Sequence, residues 1–221
     1  AKKPASLVKK APYRNYPFTF KRESVEVLDG IQYGLNNPRF KNGGLLIEEG
    51  TTNLGLPVSK FTVGVGRVIT PIDESIGLSK VKLTRSTSET PYIMTPTLTV
   101  PNRPITWRLF VRPLTETART IQVGFRKGLT SSADVRYSNL ILGEWNELVY
   151  QVTPVDGYMS PIIFIPTFQI GQNGEFEVKL SQIEDKPYTT SYTLSERKAE
   201  STFVPNADKY INTTKGSIEY T

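Results

Sequence analysis

The sequence predicts an all-β sandwich, on three observations. Short runs that alternate apolar and polar residues recur along the chain, roughly eight to ten of them at about 8–15-residue spacing. Thr, Val, Ile, Tyr and Phe, which suit a pleated and half-buried surface, are plentiful, and 16 Gly and 16 Pro punctuate them. No stretch carries a helical period, and only SERKAE, residues 195–200, fits a helical turn. With 221 residues, 38% of them apolar, the chain is long enough to bury one large β core.

The elements follow in order. Residues 1–17, AKKPASLVKKAPYRNYP, hold three prolines and no period, and read as an extended basic arm. Residues 18–44 read as a leader hairpin and loop: Ser24-Val25-Glu26-Val27 alternates, Asp29-Gly30 is a tight-turn signal, and Ile31 and Tyr33 resume the alternation. Asn37-Pro38 and Asn42-Gly43 then mark turns. Residues 45–194 read as the sandwich. Leu45-Leu46-Ile47 is a short buried strand, and FTVGVGRVI, GLSKVKLTRS and PYIMTPTLTV continue the series. In ITWRLFVRPL, residues 105–114, Ile105, Trp107, Leu109 and Val111 share one face. Ile121, Val123 and Phe125 do the same; WNELVYQVTP supplies the apolar residues Trp145, Leu148 and Tyr150, and EFEVKLSQIE supplies Phe176, Val178 and Leu180, with Ile183 after them. SPIIFIPTFQIG is apolar enough for a central strand. Both Trp107 and Trp145 are expected in the core. Residues 195–221 read as a linker and the first strand of a further domain, because a lone strand such as GSIEYT is not stable by itself.

Charge and missing residue types narrow the function. Lys2, Lys3, Lys9, Lys10, Arg14, Lys21 and Arg22 give residues 1–22 a charge of +7 with no acid, while the rest of the chain sums to −1. A near-neutral domain with a basic arm suits an acidic partner surface. There is no Cys and no His, so thiolate sites and Ser-His-Asp or Cys-His catalysis are excluded within this chain. No run of 18 apolar residues predicts a membrane-spanning helix. Basic residues of the core are not interleaved with aromatics along one face, so nucleic acid is not an expected partner. GVGR at 64–67 lacks the remaining glycine and the helix of a phosphate loop, and reads as strand.

Two stretches at opposite ends of the predicted core carry a family resemblance: PRFKNGGLLIEEGTTNL and LSQIEDKPYTTSYTLSERKAE, with FTFKRESVEVLDG ahead of them. Together they resemble a module of tailed-bacteriophage structural proteins. The closing turn SERKAES and Gly55 depart from that pattern. The resemblance implies a jelly-roll sandwich like that of carbohydrate-binding modules, often followed by a lectin-like domain, which GSIEYT resembles in its opening strand. It implies a virion location and no enzymatic activity. The first and last strands of a jelly roll tend to pair, which places Glu48, Glu49, Glu184 and Asp185 near one another. Three readings of these acids stay open: turn caps and pairs with Lys or Arg, a structural Ca²⁺ site, or a glycosidase-like acid pair. No other cofactor is expected.

The expected function is that of a virion structural protein. Its basic arm (Lys2, Lys3, Lys9, Lys10, Arg14) anchors it to neighbouring virion proteins, and it displays the jelly roll outward as a homo-oligomer, a trimer by analogy with avid fibres. The alternative is a host-glycan receptor module, with Tyr92, Tyr137 and Tyr158 read as loop tyrosines for stacking on sugar. A glycan-degrading enzyme is the third reading.

Overall fold

The structure, a computed structural model, describes residues 9–10, 19–21, 26–28, 31–34, 36–41, 44–46, 48, 50–62, 66–99, 103–127, 130–153, 158–190, 192–193, 196–197 and 201–203. Lys2, Lys3, Arg14, Glu49 and the GSIEYT segment lie outside them.

The leader contributes short strands: β1 (Lys9–Lys10), β2 (Thr19–Lys21), β3 (Glu26–Leu28), β4 (Ile31–Tyr33), β5 (Arg39–Lys41), β6 (Gly44–Leu46) and β7 (Thr51–Thr52). The hairpin predicted around Asp29-Gly30 is present as the antiparallel pair β3–β4. Lys9 and Lys10 pair in parallel with Ile31 and Gln32, so this part of the arm lies on the hairpin.

Ten strands then build a jelly-roll sandwich: β8 (Arg67–Asp73), β9 (Leu78–Thr84), β10 (Tyr92–Met94), β11 (Leu98–Thr99), β12 (Ile105–Pro113), β13 (Ile121–Lys127), β14 (Thr130–Tyr137), β15 (Asn146–Val152), β16 (Tyr158–Phe164) and β17 (Asn173–Glu184). One antiparallel sheet has the order β10-β16-β13-β14, with β11 also on β16. The other has the order β15-β12-β17-β9-β8. The chain crosses between the sheets repeatedly, as in a jelly roll, and the apolar face of each sheet closes on the other. Ile105, Trp107, Leu109 and Val111 of β12 are all fully buried, opposite Ile121, Val123 and Phe125 of β13. The Trp107 ring lies 5.5 Å from that of Phe125, which lies 5.7 Å from that of Tyr150. Each such fully buried side chain contributes roughly 1.5–3 kcal/mol through area removed from water.

Two short pairs join the ends of the chain. β18 (Glu196–Arg197) pairs antiparallel with β7, and β19 (Ser201–Phe203) pairs antiparallel with β2. The helical turn expected at SERKAE is therefore a strand at Glu196 and Arg197, because backbone pairing with Thr52 and Thr51 overrides a weak local preference.

One interruption of the alternation rearranges an edge. Between Arg108 and Phe110 the register of β12 on β17 slips by one residue, and Leu180 there has φ +52°. This bulge turns Leu180 out of the main core into a second cluster with Ile76, Leu78 and Tyr192. It also turns Ser181 inward, where its hydroxyl accepts from Trp107 Nε1 at 3.0 Å. Beyond the bulge, β17 has no β9 residue beside it, since β9 pairs only with Asn173 to Val178.

Residues 53–54 occupy that edge. Leu54 N donates to Ile183 O at 2.8 Å. Asn53 Oδ1 accepts from Ile183 N and Gly55 N, both at 3.0 Å, and its Nδ2 donates to Ser181 O and Thr193 O at 3.2 and 3.1 Å. The two end motifs of the sequence thus lie side by side, as expected. Gly55 permits the approach: a Cβ there would meet the Ile183 side chain at 3.1 Å. Asn53→Ala leaves several buried backbone groups without partners, and should cost about 3 kcal/mol in denaturant unfolding. The exposed neighbour Thr52→Ala should stay within about 0.5 kcal/mol.

Candidate functional site

Of the four acids of the end motifs, Glu48, Glu184 and Asp185 are described, and each has its own partners. Glu48 pairs with the buried Arg39 at 2.6 Å, and Asp185 pairs with Arg103. Glu184 is fully buried, accepting from Thr51 Oγ1 at 2.9 Å, from Thr190 N at 2.8 Å and from Thr190 Oγ1. Gln182 Oε1 accepts from Thr193 N at 2.6 Å. Glu48, Glu184 and Asp185 therefore do not share one site, and Glu49 lies outside the described residues. Among the described residues no group of three or more acids is placed to hold a metal; Glu48, Glu184 and Asp185 each meet their own cation or hydrogen-bond donors. The bland alternative, acids that tie turns and pair with arginine, is the one these contacts match.

The candidate tyrosines also part. Tyr137 ends β14 opposite Ile121, on the core side, and its hydroxyl donates to Val149 O of the other sheet. Burial pushes its phenol above the ordinary value. It clasps the two sheets and is not a loop platform. The segment SSADVRYSN, read as loop, is mostly strand β14, whose polar outward positions concealed the alternation. Tyr158 opens β16 opposite Thr99. Trp145 is likewise outside the main core: it packs with Phe110 in the second cluster, its ring 4.0 Å from Lys179 Nζ and 5.0 Å from the Arg112 guanidinium. Burial, then the like charge of Arg112, holds the Lys179 ammonium below its ordinary pKa.

Tyr92 is the candidate that the structure surrounds with other binding groups. It pairs across β10 and β16 with Phe164, which pairs with Gln122, which pairs with Arg136. This row lies on the outer face of its sheet, since the next row, Ile93, Ile163 and Val123, is fully buried in the core. Four rows along, on the same face, Arg126 stands opposite Ser160. Its guanidinium reaches back to within 5.4 Å of the Phe164 ring and 6.0 Å of the Tyr92 ring. The path crosses Gly124, which has no side chain to block it, and covers Ile162. Asp134, opposite Gly124, receives Gln122 Nε2 at 3.2 Å and lies 3.7 Å from Arg126 Nη2. Arg126 Nε and Asp134 Oδ1 are buried with no hydrogen-bond partner among the described residues.

A cleft of about 470 Å³ adjoins this face, lined by Arg67, Thr84, Ser86, Thr87, Ser88, Glu89 and Pro91. Arg67 begins β8, its guanidinium 4.1 Å from the centre of the Tyr92 ring. Gly66 fixes that start: its φ is +74°, and a Cβ would lie 2.4 Å from Thr84 O. Arg85 shapes the cleft wall, donating to Thr87 O, Ser88 O and Phe168 O. Arg67, Gln122, Arg126, Asp134 and Phe164 were missed in the sequence. The only signal for Gln122 and Arg126 is their place off the apolar face of TIQVGFRKG.

No family model matches the chain, and no curated protein matches it. Among solved structures, the chain is similar to one described as "CBM4 structure and function", at 10% identity and TM-score 0.39, over 54% of this chain and 77% of that one. It is similar to a second, "Family 16 Carbohydrate Binding Module-2", at 11% identity and TM-score 0.38, over 54% of this chain and 86% of that one. A third is the N-terminal endo-1,4-β-D-xylanase 10B of Clostridium thermocellum complexed with xylohexaose, at 14% identity and TM-score 0.41. The alignment covers 66% of this chain and 30% of that one.

Tyr137→Phe removes one hydrogen bond between the sheets. It should lower unfolding stability by about 1 kcal/mol and leave any ligand affinity unchanged.

Proposed function

We propose that this chain is a non-catalytic sandwich that holds a saccharide against the outer face of the sheet carrying Tyr92. One observation carries the reading: an aromatic ring, two arginines and a carboxylate share that face, and Arg126 Nε and Asp134 Oδ1 have no hydrogen-bond partner among the described residues. A sugar offers what such a face lacks. Its ring C–H groups pack on an aromatic face, and each hydroxyl both donates and accepts. In this reading Tyr92 is the platform, and Gln122, Arg126 and Asp134 grip adjacent hydroxyls. The buried Nε and Oδ1 become reachable when the Arg126 guanidinium swings off Phe164. Such unsatisfied atoms cost free energy in the empty state, which a ligand offsets. Asp134 is engaged by Gln122 and Arg126, whereas a glycosidase sets two carboxylates across the bond to be cut. Tyr92→Ala should weaken binding to a retained oligosaccharide about tenfold by titration calorimetry, from the loss of aromatic contact. Unchanged affinity would sink the assignment of the face.

A second reading is compatible with the first and rests on charge. Residues 1–22 carry +7 on a chain otherwise near neutral. We propose that this arm anchors the chain to an acidic surface of a neighbouring virion protein, in a homo-oligomer that presents the sugar-binding faces together. Deleting residues 1–17 should abolish incorporation into particles while the unfolding midpoint of the sandwich stays within a few degrees. Normal incorporation of the truncated chain would refute the anchor.

A further inference from the structure

We propose that the saccharide is acidic, with its carboxylate held at Arg67 in the cleft beside Tyr92; this rests on the glycan reading of that face. Arg67 is partly buried and stacked near an aromatic ring, yet among the described residues it has no ion-pair or hydrogen-bond partner, and its Nε is buried and unsatisfied. A guanidinium presents five N–H donors in a fork that fits a carboxylate through two parallel bonds.

The other charges of the region leave a positive excess. Arg126 lies within 6.0 Å of the same Tyr92 ring, and Arg136 falls on the same row of the sheet. Against them stand Asp134, already engaged by Arg126 and Gln122, and Glu89, which is exposed in the cleft lining. The rest of the lining is hydroxyl-rich: Thr84, Ser86, Thr87 and Ser88. Hydroxyls both donate and accept, as a polyol requires, while Arg67 supplies the one feature that a neutral sugar leaves unanswered. A neutral ligand would take Arg67 further from water with no counter-charge, which is costly.

The test uses the full chain and a panel of oligosaccharides containing glucuronate, galacturonate or mannuronate. Each is paired with its counterpart whose carboxyls have been reduced to primary alcohols. Affinities are measured by titration calorimetry at low and physiological salt. The acidic member of a bound pair should bind about tenfold more tightly, as expected for a charge-assisted bond. Arg67→Gln should erase that difference, the two members of each pair then binding alike. The variant also separates Arg67 from the basic arm, which stays intact. Equal binding of both members overturns the acidic preference and leaves the glycan reading standing. A preference that survives in Arg67→Gln overturns it as well, by assigning the charge effect to the arm. If the folded protein binds neither member of any pair, this proposal and the glycan reading fall together.

Discussion

The amide of Asn53 does for β17 what a neighbouring strand does elsewhere. β17 is the longest strand described and sits between β12 and β9, but β9 pairs only with its first half. A buried strand edge with open N–H and C=O groups is costly. Asn53 fills the gap because its side chain carries both an acceptor and two donors, so it meets Ile183 N and Ser181 O from one position. The same amide binds Gly55 N and Thr193 O, so the segment entering the sandwich and the segment leaving it are tied at one residue. Glu184, Gln182, Thr51 and Thr190 extend this into a buried polar seam. Such a network stabilises only when its members are satisfied together, which is why acids and amides are tolerated there.

The seam also divides the roles of the two sheets. Entry and exit segments run against the sheet containing β17, and the second apolar cluster and the ladder Arg112–Glu177, Lys80–Glu175 and Arg108–Glu147 occupy that outer surface. On the other sheet, Arg126 lies across its outer face and Asp134 beneath it, with a buried atom of each left over. One outer surface is engaged internally; the other holds two buried polar atoms with no hydrogen-bond partner among the described residues.

The alternations in β12, β13 and β15 were legible because their inward residues are apolar, and the pairing of the end motifs was legible from their composition. Leu180 was not, since a one-residue bulge reverses the faces that a period of two predicts. The polar hairpin strand β14 was hidden because its outward residues are polar or charged. Tyr137 was misplaced for the same reason, once its segment had been taken for loop. Glu184 followed its alternation to the outer side, yet there it is buried under Thr51 and Thr190, which only tertiary structure supplies. The site face was the least legible part. Tyr92, Gln122, Arg126, Asp134 and Phe164 come from four strands, and no local pattern announces that they share a row or lie two or four rows apart on one face.

The pairs β2–β19 and β7–β18 give the chain a mechanical character. Both are antiparallel, with Thr19 opposite Phe203 and Thr51 opposite Arg197. The polypeptide therefore enters and leaves each pair from the same rung. Tension drawn between the arm and the segment after Phe203 peels these ladders one hydrogen bond at a time, instead of shearing them all at once. The load reaches the Asn53 knot only after both ladders have opened, and the sandwich lies behind that knot. In an assembly that pulls on its parts, the end strands would act as a compliant tether that lengthens first and re-zips when slack, sparing the core.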